Sequence, residues 1–325
     1  MSTPAHDREL RLSSYLRWVP RATPAFLLGL ILFVLGKFFR LSAGPNFDIQ
    51  ALRNRLTRID SRFMRIPGWL RQQWVQADGI PARWISHASV EDGPVLLYLH
   101  GGAFTFRLPN AHAIWAGRLS RELRARVLLP DYRLAPEHPY PAAIDDACKA
   151  YRWLLSQGIE PQRIVVGGES AGGNLTLALL LRLAHAGLPQ PAAAFAISPV
   201  TDAALTGDTY RTRAAADPIL DAAAMPFFRD QYVAIANVTD PFVSPIHGHY
   251  RGLPPILIQI GTNEVLLDDA CRAAQRIHES GGQVSCEVWE GMPHAFPLLD
   301  VLRESELALS NIGRFVLAIP QFHRQ

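Results

Sequence analysis

From Val95 onward, short unbroken apolar runs alternate with longer amphipathic stretches. Val95–Leu99 (VLLYL) ends in glycines and reads as a strand buried on both faces. Arg126–Leu129, Arg163–Val166, Ala192–Ile197 and Ile256–Ile260 read the same way, and the alternating stretch Val284–Trp289 makes a sixth strand. Between and after them, Ile114–Arg124, Ala142–Leu155, Ala171–Ala186, Asp268–Ser280 and Glu304–Leu317 predict helices. Strands alternating with helices of this length predict an α/β fold, a mostly parallel sheet with helices on both faces. In such sheets the reactive side chains gather in loops beyond the carboxyl ends of the strands.

Two regions break the rhythm. Residues 46–75 look helical, with Ile49, Leu52, Leu56 and Ile59 at helical spacing. Residues 200–240 carry prolines and aromatics without a clear strand. The expected organisation is an N-terminal lid over residues 1–75 and a catalytic domain over 76–325 that carries a lid insertion at about 200–240. Within the first part, Ala25–Gly36 is free of charge and is followed at once by Lys37 and Arg40. As a helix it rises only about 18 Å, against roughly 30 Å of bilayer hydrocarbon. A lid or membrane-surface helix over 25–41 ranks first, a short uncleaved anchor next and a signal peptide last, because Lys37 and Arg40 precede the only small-residue site.

Composition narrows the classes. A formal charge of +3 without a block of like charges gives no nucleic-acid footprint. The three cysteines, Cys148, Cys271 and Cys286, match no zinc or redox spacing and read as small buried hydrophobes in a reducing compartment. A cytoplasmic chain, with membrane contact through residues 25–41 and homodimerisation left open, is the resulting expectation.

The chemistry is concentrated at three places. Gly168-Glu169-Ser170-Ala171-Gly172 follows a buried strand and opens a long helix. A tight strand-to-helix turn of this kind exposes a serine at its tip, and bulk two residues before or after would not fit. A phosphate-binding glycine turn fits poorly, since the spacing is wrong for a dinucleotide motif and no lysine follows. His100-Gly101-Gly102-Ala103 follows the first buried strand. Its backbone N–H groups, from Gly101 and Gly102, with that of Ala171, would stabilise an oxyanion. His100 itself reads as a structural group that holds this loop. A serine needs a base, and His294, late in the chain after a strand, is the candidate. The acid that orients it should follow the fifth strand. Glu264 stands nearest the strand end, and Asp268 is the alternative, at a helix start where capping suits a carboxylate.

With these residues in place the chain resembles the hormone-sensitive-lipase-like branch of the α/β-hydrolases, which includes many bacterial esterases. The resemblance runs from about residue 75 to the C-terminus. It rests on His100–Ala103, Asp131-Tyr132-Arg133-Leu134-Ala135-Pro136-Glu137-His138-Pro139, Gly168–Asn174, Asp240-Pro241, Ser244-Pro245 and His294-Ala295-Phe296. Two departures stand out. Ala103 replaces a third glycine, and the acid motif reads Glu264-Val265-Leu266-Leu267-Asp268, with glutamate where the family's first aspartate stands. The resemblance implies hydrolysis of short- to medium-chain carboxylic esters by a Ser-His-Glu triad, with no metal or other cofactor and with a two-part lid. A lactonase or amidase on the same triad is the alternative within catalysis. A ligand-binding receptor on the same fold is a more distant one, since such proteins usually lack the histidine, and a membrane-tethered interaction protein resting on residues 25–36 is another. Arg133 and Glu137 are expected to pair with each other beneath the active-site loops.

Overall fold

The computed structural model describes residues 14–38, 40, 43, 47–90 and 93–322. In chain order the first half forms β1 (Leu16–Val19), α1 (Ala25–Phe38), α2 (Ile49–Phe63), β2 (Leu70–Ala77), β3 (Ile80–His87), β4 (Val95–Leu99), α3 (Pro109–Leu123), β5 (Arg126–Pro130) and α4 (Ala142–Ser156). The second half forms β6 (Ile164–Glu169), α5 (Ala171–His185), β7 (Ala193–Ile197), α6 (Thr209–Thr212), α7 (Met225–Tyr232), β8 (Ile256–Gly261), α8 (Leu267–Glu279), β9 (Val284–Trp289) and α9 (Arg303–Leu317).

The nine strands of the described residues join one sheet in the order β1-β9-β8-β7-β6-β4-β5-β3-β2. Only the β2–β3 and β3–β5 pairings are antiparallel. The strands β4 and β6–β8 are buried at every position, as their apolar composition requires. One face of the sheet packs on α4, α5 and α8, the other on α3 and α9. β4 lies beside β6, so the loop after the first meets the turn after the second.

The N-terminal part is less separate than the sequence suggests. β1 adds an edge strand parallel to β9, from Leu16 beside Cys286 to Val19 beside Trp289. The boundary expected at residue 76 falls inside β2, which pairs with β3 across a turn at Asp78 and Gly79, both with positive φ. The remainder, α1 and α2, packs on the loops. Phe47 sits edge-on to Phe227 and Phe228, which links the N-terminal part to the segment between β7 and β8.

Candidate active site

Ser170 stands between β6 and α5 with φ 56° and ψ −119°, a strained conformation, and makes no capping bond to the helix it precedes. The close approach around it explains the two flanking glycines. A Cβ on Gly168 would lie 2.4 Å from the Gly172 carbonyl oxygen, and one on Gly172 would lie 1.9 Å from that of Leu99. The turn therefore presses on the end of β4 as well as on its own strand.

Beyond β8 and β9, two loops are tied together. Thr262 N–H donates to the Trp289 carbonyl at 2.9 Å and Asn263 N–H to that of Met292 at 3.2 Å. In return, Gly291 N–H donates to Thr262 Oγ1 at 2.8 Å, and Asn263 Nδ2 to the Gly291 carbonyl at 2.9 Å. This brings His294 Nδ1 within 2.8 Å of Glu264 Oε2. Glu264 is wholly buried, and its other oxygen accepts from Ser198 Oγ at 2.8 Å and Gly261 N–H at 2.6 Å. Ser198 Oγ also accepts from Ala295 N–H at 3.1 Å, so one hydroxyl spans the acid and the histidine loop. The residue before it, Ile197, accepts the Ser170 N–H at 2.8 Å, which joins the serine turn to the same framework. Among the described residues no hydrogen bond joins His294 to the Ser170 hydroxyl. In sites without substrate such bonds are often long and tighten on binding.

Burial pushes the Glu264 carboxyl above its ordinary range, against the hydrogen bond and charge of His294. Burial alone would lower the His294 pKa. The hydrogen bond and charge of Glu264, with the charges of Asp217 and Glu169, outweigh it and hold the imidazole above the usual histidine value. Asp268 has different work. Its Oδ2 accepts from Thr209 N–H at 3.1 Å, while its own N–H donates to Thr209 Oγ1 at 3.1 Å. That exchange fastens α8 to α6, away from the histidine.

The loop after β4 departs from expectation at one residue. The Gly101 N–H donates to Glu169 Oε1 at 2.5 Å and is not free to meet an oxyanion. Gly102, with φ 118°, and Ala103, with φ 49°, turn the chain, and their N–H groups, like that of Ala171, have no protein partner among the described residues. Glu169 is the organiser that sequence reasoning missed. It also accepts from the Tyr98 hydroxyl, which in turn accepts from Trp115 Nε1 at 2.8 Å, and it lies 3.3 Å from His112 Nε2. A carboxylate beside the serine at the end of an apolar strand was the available signal. His100 is structural, as expected: its ring stacks between His112 and Tyr132, and burial holds its pKa well below the usual value.

Other expectations need correction. Arg133 pairs with Asp146 at 2.7 Å, and Glu137 pairs with Arg53 of α2 at 2.6 Å, so the two do not pair with each other. Ser198 and Asp217 carried no motif to mark them. Phe104, Phe228 and Tyr232 line a cavity of about 50 Å³ with Ala103, Asn174 and Leu205. Phe106 faces a separate groove, and Phe227 packs on Phe47 and Phe228. Among the described residues no group of His, Cys, Asp or Glu is placed to hold a metal ion.

Comparison with known proteins agrees with this architecture. A family model described as the alpha/beta hydrolase fold matches residues 96–298, which include every residue discussed around Ser170 and His294. An acetyl-hydrolase of Streptomyces hygroscopicus is 42% identical over 72% of this chain and 79% of its own. An esterase of Acinetobacter venetianus is 35% identical over 69% of this chain and 75% of its own. Among solved structures, an esterase from the bacterial hormone-sensitive lipase family superposes with a TM-score of 0.85 at 34% identity, covering 91% of this chain and 99% of that one. The chain belongs to the α/β-hydrolase fold family, in its hormone-sensitive-lipase-like branch of bacterial esterases, and is a serine hydrolase acting on esters.

Proposed function

We propose that Ser170, His294 and Glu264 form the catalytic triad and that the substrates are carboxylic esters with short acyl chains. The buried Glu264–His294 pair carries this reading. With its Nδ1–H held by the carboxylate, the imidazole keeps Nε2 as the basic nitrogen. Ser170 Oγ attacks the ester carbonyl carbon while Nε2 takes the hydroxyl proton. The tetrahedral intermediate collapses as that proton passes to the departing alkoxide, leaving an acyl-serine and a free alcohol. Water, losing a proton to Nε2, then attacks the acyl-serine. Collapse returns the proton to Ser170 and releases the carboxylic acid.

The negative oxygen of both intermediates needs fixed donors. The N–H groups of Gly102, Ala103 and Ala171 are unspent and lie on either side of the β4–β6 pair, whereas Gly101 serves by anchoring the loop to Glu169. Losing one such donor costs about 3–4 kcal/mol of transition-state stabilisation. The acyl chain fits the cavity beside Ala103 and Asn174, whose 50 Å³ hold a few heavy atoms. The acetyl-hydrolase name of one relative agrees with that size. Phe47, α2 and the segment between β7 and β8 act as the lid over this mouth, while α1 lies behind it on the His294 loop.

Turnover of a p-nitrophenyl ester series by wild-type protein and by Ser170→Ala tests the reading. Ser170→Ala should lose nearly all turnover, and wild type should prefer acetyl to butyryl chains. Retained turnover in the variant rejects the nucleophile, and a preference for decanoyl esters rejects the pocket.

A further inference from the structure

From Ala25 to Gly36, α1 carries no polar side chain on any side. Such a helix is normally either buried in a large core or crosses a bilayer. This one does neither: it has 14 residues, about 21 Å of length, and no helix among the described residues is long and apolar enough to cross a membrane. Its inner face is spoken for. Leu28, buried, joins Trp289, Met292 and Phe296 around the His294 loop, and a Cβ on Gly36 would lie 3.8 Å from Pro218, next to the Asp217 that acts on His294. Among the described residues nothing covers its outer face. Phe26 is 82% exposed, Phe33 66% and Leu30 52%, with Leu27 and Val34 exposed beside them. At 100° per residue these five positions share one stripe about 120° wide.

We infer that this stripe seats the enzyme on an anionic lipid surface, with the active-site mouth facing the bilayer interface. Charge identifies the occupant. From residue 10 to residue 47 the chain has no Asp or Glu, while Arg11, Arg21 and Lys37 flank the stripe in sequence; Arg17 and Arg40 are engaged with Glu287 and Asp221. Apolar side chains between cations suit a headgroup layer, where the rings enter the acyl boundary and the cations meet lipid phosphates. A protein partner would have no use for cations at both ends of a wholly apolar stripe unless it were acidic there.

The platform is also fixed rather than dangling. Ahead of α1, the Ala22 and Thr23 N–H groups both donate to Glu304 Oε1 at 2.6 Å. Behind it, Arg40 Nη2 reaches the Ala214 carbonyl at 3.2 Å and Asp221 at 3.7 Å. The helix thus lies across the loop that holds His294, and docking its outer face brings that loop to the lipid. This orientation suits esters dissolved in or bound to a membrane. The second statement rests on the esterase site proposed above; the docking itself does not.

Sedimentation with vesicles tests the docking. Full-length protein should pellet with phosphatidylcholine vesicles containing phosphatidylglycerol, more weakly with phosphatidylcholine alone, and less as salt is raised. The variant Phe26→Glu/Phe33→Glu should lose at least tenfold in vesicle affinity yet hydrolyse p-nitrophenyl acetate in solution at the wild-type rate. Wild-type protein that stays in the supernatant overturns the proposal, as does a variant that still pellets. A wild-type dimer that becomes monomeric in the variant, without vesicle binding, assigns the stripe to a second copy instead. An ester carried in the vesicles reads the orientation, and it should be hydrolysed faster by wild type than by the variant. If neither enzyme hydrolyses either ester while wild type still pellets, the active-site reading fails and the docking stands.

Discussion

Glu264 spends each oxygen differently, and this decides what a glutamine would do there. A single carbonyl oxygen can still accept from Ser198 and Gly261, but the amide NH₂ then faces His294 Nδ1. Nδ1 must become the acceptor, which moves the proton to Nε2 and removes the base. Glu264→Gln should lower kcat by about 10³–10⁴-fold. The loss of charge should also move the acid limb of the pH profile. His294 is protonated and inactive below its pKa, which Glu264 raises, so the wild-type limb should lie above the ordinary histidine value and the residual limb of the variant at lower pH. Asp268→Asn disturbs the exchange with Thr209, and kcat and limb should both stay near wild type. A larger kcat loss in Asp268→Asn than in Glu264→Gln would reverse the assignment of the acid. Ser198 is a positioning residue by the same logic. Ser198→Ala leaves the Ala295 N–H without its acceptor and frees one side of Glu264. It should lower kcat with little change in KM, and a rise in KM alone would make Ser198 a substrate contact.

At the scale of elements, the elbow has no room to give. Gly172→Ala sets a Cβ against backbone oxygens of both Leu99 and His100, which a rotamer change cannot relieve. Overpacking of this kind costs about 1–3 kcal/mol and more against fixed backbone. A lower urea midpoint reflecting that loss of stability should accompany lost turnover, and an unchanged midpoint would mean the β4 loop can shift aside. The need for small residues here was legible because a strand, a glycine and a helix follow one another in sequence. So were the central strands, since burial on both faces leaves an unbroken apolar run. β2 was not, because as the edge strand it exposes Arg71 to Trp74 and carries LRQQWVQA, without alternation. Its signal lay in the turn: Asp78-Gly79 is the pair that a tight hairpin favours. β1 was hidden for another reason. Four residues gain strand character only by pairing with β9, far along the chain. The engagement of the Gly101 amide was equally hidden, because it depends on where the Glu169 side chain lands.

Over the whole molecule, the first and last parts of the chain close on each other around the catalytic loops. β1 extends the sheet beyond β9, and the connection to α1 is fastened by one carboxylate of α9. Glu304 is buried and accepts from the Ala22 and Thr23 N–H groups and from the Thr23 hydroxyl. Burial pushes its pKa up, but these hydrogen bonds outweigh that, and the net value is lowered. A carboxyl held below its unfolded value stabilises the fold at pH above that value, and the stabilisation is lost as pH falls through the folded one. Acid should therefore loosen the N-terminal strap. Glu304→Ala should do the same at neutral pH, since it strands three donors at once, each costing about 1–3 kcal/mol if left buried and unpaired. Because α1 rests on the molecule along one side, through Leu28, Ile31 and Leu32 and its C-terminal contacts, the response should be local. In hydrogen exchange the Ala22 and Thr23 amides should lose protection while those of β6 to β8 keep theirs. Trypsin should also cut at Arg17 or Arg21 sooner than in wild type. Equal loss of protection in the central strands would show instead that the strap and the sheet unfold as one unit, and that the N-terminal segment is part of the core's cooperative structure rather than a clasp laid over it.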